Sequence, residues 1–209
     1  MKRLLSCLIF LLLAGCASGQ GRPKLPYDNW DIGLGAPRYM EVWVESVDVV
    51  DRRGLAYERV HGGVVSYTNT SIGWNVVGGG AMKPIFGVDL PEIIFVRWQS
   101  LVEPQTYNIR IDIPQWVREE MVKPQRAYCK ATKREELDFA SIIVIGMAPG
   151  GIAKAWVRGA CLPIKEIGCF QAKVDKRGPY QGRSGGKYYY LTKEAKAYID
   201  QHGIPYGSW

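Results

Sequence analysis

The sequence predicts a β-rich fold, mainly antiparallel sheet or sandwich, with two short helices, behind a cleaved N-terminal export segment. Three observations predict it. Residues 40–50 (MEVWVESVDVV) and 106–113 (TYNIRIDI) alternate apolar and polar side chains with period two, the mark of a strand buried on one face. Apolar runs at 92–99 and 142–145 end in turn residues, Glu103-Pro104-Gln105 and Ala148-Pro149-Gly150-Gly151. Helical spacing is confined to two short windows, and there is no long alternation of strands with helices. The expected organisation is a signal peptide over 1–15, a tether over 16–26 and one domain over 27–209.

The chain opens with Lys2 and Arg3, then an apolar run over residues 4–14 broken only by Ser6. A membrane-spanning helix needs about 20 apolar residues, so the run has the size of a secretory h-region. Leu13-Ala14-Gly15-Cys16 resembles a bacterial lipobox, which implies cleavage before Cys16 and lipidation of that residue. The same resemblance implies delivery to the outer membrane, because Ala17 and not Asp follows the cysteine. Residues 17–26 (ASGQGRPKLP) have no hydrophobic period and read as a flexible tether.

Within the domain, Met40, Val42 and Val44 alternate with Glu41, Trp43 and Glu45 in the first strand, which ends in the turn Asp51-Arg52-Arg53-Gly54. Residues 62–87 are glycine-rich with little periodicity; they read as one short strand near 64–67 followed by a long exposed loop. Residues 92–99 and 106–113 form an antiparallel hairpin with Tyr107, Ile109, Ile111 and Ile113 on one side. Pro114 opens a helix carrying Trp116, Val117, Glu120 and Met121, and Pro124 ends it. A second hairpin turns at residues 148–151. Residues 173–187 are polar and glycine-rich. Thr192 caps a last helix with Glu194 in its first turn, Ala195, Tyr198 and Ile199 on one face, and Gly203 and Pro205 as its stop.

Of the 209 residues, 27 are Lys or Arg and 20 are Asp or Glu, a formal charge of +7. Loss of Lys2 and Arg3 leaves +5. No run of five basic residues occurs, so no nucleic acid is expected as a partner; acidic proteins and anionic headgroups are left open by the charge. No catalytic set stands out. Gly182-Arg183-Ser184-Gly185-Gly186 matches the G-x-S-x-G nucleophile elbow, but no apolar strand precedes it and His202 is the only histidine after it. It reads as a basic loop. His61 and His202 are the only histidines, too few for a three-His metal site. Glu119-Glu120 and Glu135-Glu136 are adjacent pairs, which do not face each other on a helix. Ala148-Pro149-Gly150-Gly151 lacks the Gly-Lys-Ser/Thr ending of a phosphate loop. No cofactor and no metal are expected, and the chain reads as a non-enzyme.

Cleavage leaves Cys129, Cys161 and Cys169 outside the anchor. Three cysteines allow three single pairings. Cys129 lies upstream of the second hairpin and Cys161 just beyond it, so a Cys129–Cys161 bridge would close a loop around the hairpin. Cys161–Cys169 is the rival, across seven residues that include Pro163 and Gly168. In the first pairing Cys169 stays reduced, buried between Ile167 and Phe170.

Aromatic residues outside the predicted strands have two readings, buried loop packing and, second to it, a protein-binding surface. Trp43, Trp98 and Trp156 fall in predicted strands and suit the core. Trp30, Trp74 and Trp209 fall in loops or at the terminus. Tyr188-Tyr189-Tyr190 stands beside Arg183 and Lys187. Trp, Tyr and Arg are enriched at protein-binding hot spots, so Trp74, Arg183, Tyr188 and Tyr189 are the candidate partner-binding residues. Three motifs, Trp30…Pro37…Trp43, Leu90-Pro91-Glu92…Val96-Arg97-Trp98-Gln99-Ser100 and Ile145-Gly146-Met147-Ala148-Pro149-Gly150-Gly151…Trp156, resemble those of a group of Gram-negative lipoproteins classed as a domain of unknown function. The resemblance covers residues 27–170. It implies kinship with immunity lipoproteins that protect bacteria from toxins of type VI secretion, lipases among them. The expected function is a membrane-anchored periplasmic binding protein that captures such a toxin. The alternative is a structural envelope lipoprotein that binds an envelope component.

Overall fold

The computed structural model describes residues 21, 23–74 and 81–209. Cys16, the predicted signal peptide and residues 75–80 of the predicted loop lie outside the described residues. Two sheets form the body. In the first, β12 (Lys165–Gln171), β11 (Ile152–Arg158), β10 (Ile142–Ala148) and β1 (Asn29–Ala36) lie side by side. The far side of β1 is shared by β4 (Ser66–Tyr67) and β5 (Met82–Phe86). In the second sheet the order is β13 (Lys173–Val174), β7 (Gln105–Asp112), β6 (Pro91–Ser100), β2 (Val42–Asp51) and β3 (Ala56–Val64). β8 (Gln125–Cys129) and β9 (Arg134–Asp138) form a separate hairpin. The helices are α1 (Gln115–Val122) and α2 (Lys193–His202).

The β-rich, mainly antiparallel expectation holds, with one departure. β1 runs parallel to β10, Ile32 opposite Ile143, and parallel to β4. The sequence periodicity predicts no strand here and puts Trp30 in a loop. Trp30, Ile32, Leu34 and Ala36 alternate cleanly and are all buried; the glycines between them, Gly33 and Gly35, dilute the β signal. The Trp30 indole N–H donates to the Val88 carbonyl at 3.2 Å, so the core satisfies its one polar atom.

Facing rows from both sheets make the core: Ile32 and Leu34, Ile143 and Ile145, Val44 and Val47, Ile94 and Val96, Ile109 and Ile111. Each such side chain contributes about 1.5–3 kcal/mol when fully buried. In β2 the alternation slips at Glu45-Ser46, where the register shifts against β3 and β6. Val42 and Val44 face inward before the bulge, Val47 and Val49 after it.

Two further corrections concern edges. The predicted loop over 62–87 contains β5, and β3 extends back to Ala56. β3 is an edge strand with mostly exposed side chains, two register shifts against β2 and a left-handed Arg59 (φ 53°). β5 buries only Ile85 and includes Pro84. Edge strands need few apolar residues and are protected by such irregularities, which hide them from a periodicity search.

α1 follows Pro114 and buries Val117 and Met121. In α2 the Ala195 N–H donates to Thr192 Oγ at 3.2 Å and Gly203 (φ 73°) closes the helix. Of its predicted face only Ala195 is buried. The Tyr198 ring stacks on Tyr39 with centroids 4.4 Å apart.

Cys129 and Cys161 form a disulfide, Cα atoms 4.8 Å apart, closing a loop around the β10–β11 hairpin. Cys169 is unpaired, but it is exposed and not buried. A bulge between Ala155 and Trp156 sets Cys169 opposite the outward-facing Lys154, while Ile167 and Phe170 turn toward the core. Strand directions place the disulfide, α1 and the β8–β9 hairpin at one end of the sandwich. At the other end lie the β6–β7 and β10–β11 turns, α2 and the C-terminal residues.

Candidate binding surface on the strapped face

The register defines the outward face of the second sheet. One row is Trp43, Gln99 and Thr106; the next is Ser46, Arg97, Asn108 and Lys173; a third is Asp48, Phe95 and Arg110. Residues 175–192 cross the first row as a strap. The Asp175 N–H donates to the Thr106 carbonyl at 2.9 Å, and the Tyr180 N–H to Glu45 at 2.7 Å. The Tyr189 N–H donates to the Gln99 side chain at 2.7 Å, and the Thr192 N–H to Glu41 at 2.9 Å. The Trp43 indole N–H donates to the Tyr180 hydroxyl at 2.7 Å, and its ring stacks on Tyr189 with centroids 3.9 Å apart.

The acceptors under the strap are buried: Gln99 is 0% exposed, Glu41 8% and Asp175 6%. A buried carboxylate is costly unless it receives hydrogen bonds, and backbone N–H groups are good donors to it. These side chains are therefore committed to holding the strap. Asp175 also binds the guanidinium groups of Arg177 and Arg97. The Arg177 hydrogen bonds hold its carboxyl well below the usual carboxylate range; burial pulls the other way and Arg97 adds to the lowering.

Beyond the strap the second and third rows stay open. They floor a hollow of about 500 Å³ lined by Ser46, Asp48, Phe95, Arg97, Asn108, Arg110, Gln171, Lys173, Arg177 and Gln181. Shallower hollows continue around the strap turn past Arg59, Tyr180, Arg183 and Ser184. Tyr180 (φ 50°), Gln181 (φ 59°) and Arg59 (φ 53°) are left-handed around this space. That conformation costs a non-glycine residue about 1–2 kcal/mol, which the Tyr180 anchors and the Arg59 N–H bond to Asp48 (2.7 Å) offset.

A second hollow, about 420 Å³, opens beside the N-terminus of α2 between Arg38, Tyr39, Glu41, Tyr67, Thr68, Asn69, Thr192 and Glu194. The Arg38 guanidinium lies 4.9 Å from the Tyr39 ring centroid. Burial, with the nearby Glu41 charge, pushes the Tyr67 hydroxyl up to about 12. Tyr190 is 68% exposed alongside.

The structure brings Arg183, Tyr188 and Tyr189 together on the strap and leaves Trp74 elsewhere. Trp74 packs edge-on against Trp156, centroids 5.3 Å apart, on the outward face of the first sheet, where a side chain at Gly146 would collide with it. Arg183 is exposed and donates to the Tyr180 carbonyl at 3.1 Å. Ser184 donates to the Pro179 carbonyl at 3.3 Å within the strap turn, with a 3₁₀ turn and not a strand before it. The His61 ring nitrogens are occupied by the Ala81 carbonyl at 2.7 Å and the Gly62 N–H at 2.8 Å, and the His202 ring packs on Tyr198. Glu120 accepts from Lys165 and Gln125. Among the described residues the one grouping of metal-ligand types is Cys129, Glu136 and Cys161, whose sulfurs are bonded to each other.

Ala148-Pro149-Gly150-Gly151 is a turn that receives the C-terminus. The Gly150 N–H donates to Glu103 at 2.9 Å, as does the Tyr206 hydroxyl at 3.0 Å, and the Trp209 indole donates to the Pro149 carbonyl at 3.2 Å. Gly151 is left-handed, and a Cβ there would stand 2.7 Å from the Tyr107 ring.

Sequence reasoning missed Glu41, Glu45, Gln99 and Asp175. Glu45 and Gln99 on strands, and Glu41 just before β2, occupy outward positions, where a charged or amide residue reads as solvated; their partners lie 90–151 residues away. No local pattern marks them.

No curated protein and no solved structure matches the chain. A family model described as "Protein of unknown function (DUF2931)" matches residues 17–207. The match extends past the motifs at residues 27–170 and includes the strap and α2. The chain therefore belongs to that family.

Proposed function

We propose that the chain is a membrane-anchored periplasmic binding protein, lipidated at Cys16 and held at the outer membrane, that neutralises a secreted antibacterial toxin. A type VI secretion effector of lipase type is the target class that the lipoprotein resemblance suggests. The observation that carries the reading is the strapped face: Tyr180, Arg177 and Arg183 border open hollows beside the Trp43–Tyr189 stack, the composition of a protein-recognition surface. Its buried carboxylates are engaged in holding the strap, so the face offers shape and charge and not a paired acid and base. The position of the N-terminal segment agrees with an anchor at the other end. The Gly21 carbonyl accepts from Arg53 at 3.0 Å, and Leu25 and Tyr27 pack against the core near the disulfide end.

The test joins localisation to protection. Wild-type protein should fractionate with the outer membrane and protect cells from the toxin encoded beside its gene. Cys16→Ala should remain uncleaved or leave the membrane fraction. Normal processing and membrane retention of that variant would overturn the anchor. Failure of the wild-type chain to bind or protect against the neighbouring toxin would overturn the immunity role.

A further inference from the structure

We infer that the hollow on the open half of the strapped face receives an extended acidic segment of a protein partner. The inference rests on the binding-protein reading and adds the chemistry of what is bound. Across the joined hollows six basic residues and three carboxylates line the space: Arg59, Arg97, Arg110, Lys173, Arg177 and Arg183 against Glu45, Asp48 and Glu58, with Arg97 and Glu45 largely buried in its floor. Two of the carboxylates are used inward. Glu45 accepts from the Tyr180 N–H and from Gln99, and Asp48 from the Arg59 N–H and Ser46. Among the described residues Arg59, Lys173 and Arg183 make no ion pair, and Arg177 is 60% exposed outside its bond to Asp175. Arg97 is held by Asp175 and Glu45, and Arg110 by Asp112, so the cations left to meet a partner are Arg59, Lys173, Arg183 and the exposed part of Arg177.

The layout of the cations favours an extended chain over a compact anion. The row from Lys173 through Asn108 and Arg97 to Ser46 crosses four strands, about 14 Å at about 4.8 Å per strand. Side chains on one face of an extended peptide repeat every ~6.7 Å, so such a segment can set one acidic residue against Lys173 in this row and others against Arg177 and the paired Arg110, which line the same hollow. Asn108 and Gln181 supply amide donors and acceptors for the backbone, and Phe95, 37% exposed with the Arg110 guanidinium 6.0 Å from its ring centroid, supplies an apolar floor. A lipid headgroup would meet only one or two of these groups at a time.

The test uses the mature protein and a labelled peptide of alternating Glu and Ser, followed by fluorescence anisotropy at low and high salt. Binding is expected to weaken with salt, and a Lys/Ser peptide should not bind. The double variant Lys173→Glu, Arg110→Glu changes two exposed side chains; it should keep the wild-type melting temperature and lose at least about tenfold in affinity, roughly the worth of one good charge-assisted contact. Hydrogen-exchange protection should fall on β6, β7 and the strap turn. Equal affinity of wild type and variant, protection confined to the Tyr39–Tyr67 hollow, or binding of phosphatidylglycerol vesicles without peptide binding would each overturn the inference. A variant that still protects against the toxin overturns the hollow as the docking site and leaves the immunity role standing; loss of protection in wild type speaks only to that role.

Discussion

The two ends of the sandwich are closed by different chemistry. At the disulfide end, closure is covalent or local. Cys129 is bonded to Cys161, and the buried Asp51 accepts from Arg53 and from backbone N–H groups of the same turn at 2.6–3.3 Å. At the strap end, closure is polar and long-range: Glu41, Glu45, Gln99 and Asp175 take donors from segments far along the chain. The first arrangement adds a covalent bond to its polar contacts. The second rests on hydrogen bonds to buried side chains alone, with Asp175 and its lowered pKa among them. The lesson is that one end carries a covalent tie, while the face that carries the binding features is held by polar bonds that solution conditions can weaken.

The largest expected effect tests the stapled end. Replacing Cys129 and Cys161 by Ser removes a bond spanning 32 residues and should lower unfolding stability by about 3–4 kcal/mol in denaturant titration. Fluorescence of the stacked Trp43 in the folded variant should be unchanged. A strap that loosens together with the disulfide would break the contrast between the ends. Gly151→Val comes next: its left-handed backbone and the close Tyr107 ring should cost about 2–3 kcal/mol by thermal melting, and a neutral outcome would mean that the C-terminal turn is adaptable.

Acid should weaken the polar bonds at both ends and leave only the disulfide end with a covalent tie. The folded Asp175 titrates below its ordinary value of 3.8, so its stabilisation is complete above that pH and is lost as pH falls through and below it. Asp51 shifts the same way: burial opposes ionisation, but Arg53 and the backbone donors outweigh it. Trp43 fluorescence should therefore report strap release below about pH 4, while the disulfide keeps its end closed against full unfolding. Loss of all near-UV signal in a single step would contradict independent ends. Thr192→Ala removes both the α2 cap and a hydroxyl bond to Glu41, and should cost about 1–2 kcal/mol with the loss confined to the strap end in hydrogen exchange. Smallest of all, Cys169→Ser on an exposed edge should stay within about 0.5 kcal/mol of wild type.

Much of the sheet framework was legible because strands with one buried face write their period into the sequence. The β6–β7 and β10–β11 hairpins and both helices follow from alternation, turn residues and capping, and the structure chooses Cys129–Cys161 over the rival Cys161–Cys169 that the sequence left open. Elements with little apolar content were hidden. β3 and β5 are edges, the β8–β9 hairpin reads as a polar linker, and β12 carries Lys165 and Glu166 where an apolar run would be sought. β1 was hidden by its glycines. The candidate surface was half legible: the Tyr188-Tyr189 cluster and Arg183 stand out by composition. The carboxylates beneath them do not, since an outward Glu on a strand looks the same whether water or a distant backbone N–H covers it.

The parallel pairing of β1 with β10 has a consequence for how the chain folds. β1 sits in the middle of the first sheet, yet Ile32 finds its partner Ile143 only 111 residues later. A chain delivered from its N-terminus holds Trp30, Ile32 and Leu34 without their final neighbours until β10 arrives, and Glu41 waits still longer for Thr192. Loop-closure entropy must be met before these contacts form, so the relative contact order is high and folding is expected on the millisecond-to-second scale of sandwich proteins. The β6–β7 hairpin, whose strands are neighbours in sequence, is the natural early nucleus. The strap then closes last, over a sheet already assembled.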